Sequence, residues 1–266
     1  MTPTHHRNPV PLDKARVLIT GGTAGVGLAT ATRFARAGAP CIGINGRNAE
    51  RGARARAAVL AAAPGARVEF IAGDANQVDE AIAIGAAMDA AFGGTDVLVN
   101  STVSAFPYPN LFHTLDIRDI PGMVTTQAMA HFLMSRVVID GMRARESGVI
   151  INIASDAGKV TTPGETIIGG MMAAIMMFSR ALAMEAKRNG IRVNCITPSI
   201  IEGTLTHEKV MSGAFSGKLF AKATQMAQLG VVNAEDMAEL IVFLASPAAA
   251  KLTGQTISLN GGISAA

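Results

Sequence analysis

A glycine-rich turn near the start of the chain is the first feature that could do chemistry. Residues 20–27 read Thr-Gly-Gly-Thr-Ala-Gly-Val-Gly, directly after a short apolar run and directly before a helical pattern. Glycines let a backbone turn sharply and approach a pyrophosphate closely, and the amides of the following helix favour an anion. We therefore predict a nucleotide-binding turn whose cofactor contacts come from Gly21, Thr23, Gly25, Val26 and Gly27.

The end of the second apolar run predicts which nicotinamide cofactor is used. It reads Asn45-Gly46-Arg47, without the acidic residue that would bind a ribose 2′-hydroxyl. The guanidinium of Arg47 can instead pair with a 2′-phosphate. The sequence therefore favours NADP(H) over NAD(H).

The elements that must position these residues alternate between two patterns. Strand-like apolar runs occupy 16–20, 40–44, 67–72, 96–99, 149–154, 191–197 and 256–259. Helical patterns lie between most of them. They occupy 28–37, an arginine-rich segment that ends at 63, 78–91, about 120–143 and about 167–188. This alternation predicts an α/β fold, a single Rossmann-type doubly wound domain with about seven parallel strands and helices on both faces. Ligands of such sheets bind at the carboxyl ends of the strands.

Two segments fall outside this alternation. Residues 1–11 carry three prolines and no apolar core pattern, and we predict a flexible N-terminal arm ahead of a domain over 12–266. Residues 200–226 mix glycines with short apolar clusters in an irregular pattern, which predicts a mobile substrate lid.

Composition excludes several classes of protein. A net charge of +3 argues against nucleic-acid binding, and the arginine run Arg51, Arg54 and Arg56 lies on one amphipathic helix whose polar face is solvated. The two cysteines, Cys41 and Cys195, lie in apolar runs without a thiol or histidine at metal-ligand spacing, so neither a metal site nor a disulfide is predicted. No uncharged apolar run is long enough to span a bilayer and no signal peptide is evident, so we expect a cytoplasmic protein without membrane partners.

From about residue 14 to 262 the chain resembles the short-chain dehydrogenase/reductase family, whose cofactor turn is Thr-Gly-x-x-x-Gly-x-Gly. The resemblance implies that Asp74 lies beside the adenine ring and that Asn100 matches the first residue of the Asn-Asn-Ala-Gly motif. It also implies that Ser155, after Ile151-Asn152-Ile153-Ala154, binds the substrate oxygen. Simple turn or cap roles are the alternatives for these three residues.

The same resemblance places the catalytic Tyr-x-x-x-Lys motif on Ile168-Gly169-Gly170-Met171-Met172, so neither catalytic residue is present. Gln127 stands at the position of the asparagine that completes the family's proton relay. Four nearby groups could replace the missing acid, each with a solvated loop role as the alternative: Tyr108, Asp156, Lys159 and Glu165. Ser155, Gln127, Tyr108 and Lys159 form the predicted catalytic set.

Three functions remain open from the sequence. The leading hypothesis is an NADP(H)-dependent oxidoreductase with an atypical proton donor, acting on an apolar carbonyl, alcohol or enoyl compound. The alternatives are a nucleotide-binding or regulatory subunit that lost turnover, and a non-redox lyase or isomerase on the same scaffold. The resemblance further implies a homodimer or homotetramer that packs through helices at 127–143 and 167–188.

Overall fold

Parallel strands form the centre of the protein, as the alternating pattern predicts. The computed structural model describes residues 9–102 and 109–266. Its single seven-stranded sheet has the order β3-β2-β1-β4-β5-β6-β7, with every pair parallel. The strands are β1 Arg16–Thr20, β2 Cys41–Gly46, β3 Arg67–Ala72, β4 Val97–Asn100, β5 Gly148–Ile153, β6 Ile191–Thr197 and β7 Thr256–Ser258. The prediction of a seven-stranded, doubly wound α/β fold is confirmed.

Helices cover both faces because successive strand residues point to opposite sides. Val17 and Ile19 of β1 pack with one group of helices, whereas Leu18 packs with the other. In the described part of the chain the helices are α1 Gly25–Arg36, α2 Ala49–Ala62, α3 Val78–Phe92, α4 Ile120–Ala144, α5 Thr166–Ala186, α6 Leu205–Ser212, α7 Ser216–Met226 and α8 Ala234–Ala245. Helices α1, α2 and α8 lie on one face, and α3, α4 and most of α5 lie on the other.

Two helical regions differ from the predicted pattern. The segment 200–226 contains α6 and α7 rather than irregular chain, and its role as a lid stays a prediction. Helix α8 was not predicted, although a local signal for it exists. Asn233 accepts a hydrogen bond from the Asp236 amide at 2.9 Å, and the Asp236 carboxylate accepts from the Asn233 amide at 3.0 Å. This capping box precedes the apolar helix face.

Within residues 9–102 and 109–266, one helix is long and apolar enough to cross a membrane, by length and composition alone. The stretch Thr166–Asn189 comprises 24 residues, and its most apolar 18-residue window has a mean hydropathy of 1.7. In the fold it packs against α4 and β6, as core helices of α/β proteins do, and 28% of its most apolar window is buried. Met177 and Met184, on its outer side, are each 61% exposed in the single chain. This helix therefore has one side in the core and an apolar side without a partner in the single chain.

A buried carboxylate ties the amino ends of β1 and β4 together. Asp96 is 3% exposed, and its Oδ2 accepts from Arg16 Nε at 2.7 Å while its Oδ1 accepts from Arg16 Nη2 at 2.6 Å. Arg145, which follows α4, brings Nε to 3.3 Å from Oδ1. Three elements thus share one buried anion.

Replacing Asp96 by Asn should lower the free energy of unfolding by about 3 kcal/mol, because two guanidinium groups lose their shared charged acceptor. The matched control is Asp140→Asn, which removes a solvent-exposed pair with Arg136 at 2.8 Å and should cost less than about 0.5 kcal/mol. Urea denaturation followed by circular dichroism measures both. Equal losses in the two variants would contradict the assigned role of Asp96.

Candidate active site

The glycine turn forms a tight cradle between β1 and α1. Gly21 has a φ of +66°, and a β-carbon there would lie 2.6 Å from the Ser101 carbonyl oxygen. A β-carbon on Gly27 would lie 2.3 Å from the Gly21 carbonyl oxygen, so α1 packs directly on the turn. Both positions therefore require glycine.

The amino end of α1 is open to an anion. Its N-cap residue, Ala24, provides no side-chain hydrogen bond to the first-turn amides. Amides without a capping side chain at a helix N-terminus attract negative charge, and the helix dipole adds to that attraction. The cradle and the helix end together fit the pyrophosphate of a dinucleotide.

Arg47 stands beside this cradle. A β-carbon on its neighbour Gly46 would lie 2.7 Å from the methyl carbon of Thr23, which brings the end of β2 against the glycine turn. The Arg47 side chain is 73% exposed, and its Nη1 lies 3.6 Å from an Asp74 carboxylate oxygen. The structure thus gathers the predicted adenine-side residues at one edge of the sheet.

A buried chain of polar side chains crosses the carboxyl ends of the central strands. The Asn100 amide donates to the Asn152 side-chain oxygen at 2.9 Å, and the Asn152 amide donates to the Ser179 hydroxyl at 2.8 Å. The Thr20 hydroxyl lies 3.4 Å from the Asn100 side-chain oxygen. Of these residues, only Asn100 was predicted to belong to the site. The periodic pattern could not identify Asn152 or Ser179, because each lies inside an apolar element.

Ser155 lies at the turn that follows β5. Its hydroxyl oxygen accepts from the Ala157 amide at 3.2 Å and so caps the short 3-10 turn Asp156–Gly158. A hydroxyl that accepts one hydrogen bond can still donate its own proton. The cap role is therefore present in the structure, and substrate binding by the same hydroxyl stays a prediction.

Asp156 and Lys159 of the same turn point to the carboxyl-terminal segment. The Asp156 carboxylate accepts from the hydroxyls of Ser264 at 2.8 Å and Ser258 at 3.3 Å, and also from the Asn260 amide. The Lys159 ammonium donates to the Ser258 hydroxyl at 2.8 Å and to the Thr256 carbonyl at 3.3 Å. For Lys159 to act on a substrate, as predicted, it must leave these partners.

Helices α4 and α5 carry further residues of the candidate site. Gln127 is 3% exposed and His131, one turn later on α4, is 1% exposed. On α5, Met172 is 5% exposed and packs with apolar side chains of the neighbouring elements, and Ile168 lies partly buried against the same cluster. The remaining predicted catalytic residue, Tyr108, lies outside the described residues.

His131 is held neutral. Its Nε2 lies 3.0 Å from the Ile153 carbonyl oxygen. Burial lowers its pKa to about 4, although the carbonyls of Ile153 and Ala128 act in the opposite direction. At neutral pH this imidazole therefore serves as a hydrogen-bonding group and not as a proton donor with matched pKa.

Comparison with known proteins decides the family. A family model described as enoyl-(acyl carrier protein) reductase matches residues 21–264. The chain is 32% identical over 248 residues to nodulation protein G of Rhizobium sp. (strain N33), which covers 93% of this chain and 96% of that protein. The chain belongs to the short-chain dehydrogenase/reductase family. Its similarity to family members spans nearly its whole length.

Other members of the short-chain dehydrogenase/reductase family support the same assignment. The 3-oxoacyl-(acyl-carrier-protein) reductase of Chlamydia trachomatis serovar D is 31% identical and covers 92% of this chain and 96% of its own. Levodione reductase superposes with a TM-score of 0.87 at 27% identity, covering 96% of this chain and 98% of its own. The L-sorbose reductase of Gluconobacter frateurii, solved with NADPH and L-sorbose, gives 0.84 at 29% identity, with 95% and 97% covered. The chain is an oxidoreductase of this family's type.

His131 generates a prediction about acid stability. Between pH 6.5 and 4 the unfolded chain binds a proton that the folded chain does not, so the free energy of unfolding falls as the pH drops through this window. The contribution is about 3 kcal/mol by pH 4. His131→Gln, whose amide can still donate to Ile153, should lose less stability over this range than the wild type.

The measurement is urea denaturation at a series of pH values. His113→Gln is the control, because His113 is exposed and its replacement should leave the slope of the wild type unchanged. Parallel curves for the wild type and His131→Gln would show that His131 is not the group that titrates.

Proposed function

We propose that this protein is an NADP(H)-dependent oxidoreductase that acts on an apolar carbonyl, alcohol or enoyl compound in the cytoplasm. The observation that carries the proposal is the position of Arg47 beside an intact phosphate cradle. The end of β2 lacks an acidic residue of its own, and the exposed Arg47 guanidinium stands next to the turn. A 2′-phosphate would take the place of the Asp74 carboxylate, which now lies 3.6 Å from Arg47.

Some residues of this chain would bind the cofactor, and others would position the substrate. The amides of the glycine turn and of the α1 terminus would hold the pyrophosphate, Arg47 the 2′-phosphate, and Asp74 the adenine. The Ser155 hydroxyl would donate a hydrogen bond to the substrate oxygen. The apolar side chains of α5 would exclude water. A bound nicotinamide supplies hydride exchange with carbon. The site is atypical because Ile168 and Met172 occupy the positions of the family's tyrosine and lysine.

The exposed methionines of α5 support a homodimer or homotetramer. Met177 and Met184 lie on the exposed side of α5 together with Arg180, and large apolar side chains exposed on one helix side mark subunit contacts. We propose that α5 packs against a second copy of the chain.

Cofactor binding tests the proposal directly. Purified protein is titrated with NADPH and NADH, with nicotinamide fluorescence and binding heat as readouts. Arg47→Gln should weaken NADPH binding about 10- to 100-fold through the loss of charge-assisted hydrogen bonds, and should leave NADH binding unchanged. Arg54→Gln, on the exposed side of α2, is the matched control. Binding of neither cofactor to the wild type would overturn the proposed function.

One observation favours a second candidate, a nucleotide-binding or regulatory subunit without turnover. Met172 is buried in an apolar cluster, where the family's lysine would contact the cofactor ribose. Under this alternative the wild type binds NADPH but leaves it unoxidised, and the double variant Ile168→Tyr, Met172→Lys gains carbonyl reductase activity. Our proposal expects NADPH oxidation already in the wild type, assayed with a panel of ketones and enoyl thioesters. The melting temperature of the double variant controls for the cost of burying a lysine.

A further inference from the structure

Glu165 immediately precedes α5, on the helix face that packs against the Ser155 turn. Its carbonyl accepts the first helical hydrogen bond, from the Gly169 amide at 2.6 Å. A β-carbon on Gly169 would lie 2.6 Å from the Ala157 carbonyl oxygen, and one on Gly158 would lie 2.7 Å from the Ala173 amide nitrogen. Residues four apart lie on one helix face, so Gly169 and Ala173 form the row that faces this turn, and the N-cap residue Glu165 lies at its start.

The row ends at the carboxyl edge of the sheet, where substrates of this fold bind. Helix α5 starts at this edge, because it follows β5 and returns across the sheet to the start of β6. Glu165 therefore lies at the mouth of the site, one turn before Ile168. This is the end of α5 nearest the position where the family's tyrosine would act.

Two further segments contact Gly164, the residue before Glu165. The Asn110 amide donates to the Gly164 carbonyl at 2.9 Å, and a β-carbon on Gly164 would lie 2.7 Å from the ring of Phe215, just before α7. The segment after β4, the predicted lid and the Ser155 turn thus all meet this end of α5. This burial raises the pKa of Glu165 to about 7, with a hydrogen bond from Thr162 acting in the opposite direction.

The structure distinguishes Glu165 from two of the other candidate groups, because Asp156 and Lys159 are bound to the carboxyl-terminal segment. Among the residues that the structure describes, the Glu165 carboxyl group forms no ion pair. The ionisable side chains on residues 109–115, the Ser155 turn and α7 are His113, Asp156, Lys159, Lys218 and Lys222.

We propose that Glu165 is the proton donor of the active site, acting on a carbonyl substrate whose oxygen is held by Ser155. This inference rests on the proposed function. In the reduction, the carbonyl carbon gains a hydride from the reduced nicotinamide cofactor and its π electron pair moves onto oxygen. That oxygen takes the proton from the Glu165 carboxyl group. The products are an alcohol, the oxidised cofactor and a Glu165 carboxylate, which takes up one proton (as hydronium) from the solution, so each turnover consumes one proton.

The substrate class follows from the surroundings of Glu165. The hollow next to Phe215 is lined by Ala214, Phe215 and Leu219, with Lys218 beside them, and we propose that it takes an apolar group attached to the carbonyl. A neutral carboxylic acid is suited to this mouth, because a carboxylate would need more solvation than the packed segments allow.

The test compares Glu165→Gln, Glu165→Asp and the control Glu185→Gln, which changes an exposed carboxylate at the far end of α5. The probe is 9,10-phenanthrenequinone, an apolar dicarbonyl, with NADPH as reductant. Glu165→Gln should lower kcat about 100-fold and leave NADPH affinity unchanged, Glu165→Asp should recover part of the rate, and Glu185→Gln should match the wild type. In carbon-13 NMR of glutamate-labelled protein without cofactor, the resonance lost in Glu165→Gln should titrate near pH 7.

The outcomes distinguish the role of Glu165 from the proposed function. Wild-type turnover together with a fully active Glu165→Gln variant would overturn the role of Glu165 and leave the proposed function standing. Titration of Glu165 near pH 4, the ordinary value for glutamate, would also overturn it. A wild type that reduces enoyl thioesters but no carbonyl would overturn the role of Glu165 alone. A wild type that binds NADPH but oxidises it with neither the ketones nor the enoyl thioesters would overturn the proposed function, and the proton donor with it.

Discussion

The hydrogen bond between the side chains of Asn100 and Asn152 is the constraint on which the rest of the site depends. Both amides are fully buried between β4 and β5, and an orphaned buried amide would cost about 1–3 kcal/mol. Each of the two buried amides therefore requires its hydrogen-bonding neighbours to stay in position. Through the Thr20 and Ser179 hydroxyls, this series of hydrogen bonds extends to β1 and α5. The strand before the phosphate cradle and the helix beside the substrate site are therefore held in place by the same buried groups.

Close backbone contacts fix the positions of the two helices that border the site. The glycines at 21 and 27 bring α1 against its turn, and those at 158 and 169 bring α5 against the Ser155 turn. A side chain at any of these positions would push a helix away from the edge of the sheet. The cofactor cradle and the substrate mouth are therefore placed by backbone packing, which leaves the side chains around them free to differ between relatives of the same fold.

The strands and most helices could be predicted because their signals are local. Residues 16–20, 67–72 and 191–197 are apolar runs bounded by turn residues, and the structure has strands at these bounds. The environments of Lys159 and Glu165 could not be predicted, because their neighbours are distant in sequence. Lys159 is bound by β7, about 100 residues later, and Glu165 is buried by segments that follow β4 and β6. Periodicity carries no information about such contacts.

Under the proposed mechanism, an apolar residue at position 172 and the burial of the Glu165 carboxyl group act in the same direction. A phenol ionises near pH 10 and a glutamate carboxyl near 4.3, so both lie far from neutrality in water. A tyrosine reaches neutral pH when a neighbouring cation lowers its pKa, whereas a carboxyl group reaches it when burial without a cation raises its pKa. Met172 lies in an apolar cluster and burial raises the pKa of Glu165 to about 7. If Glu165 is the proton donor, as we propose, this environment favours its neutral acid and makes proton transfer near pH 7 available without a cation at position 172.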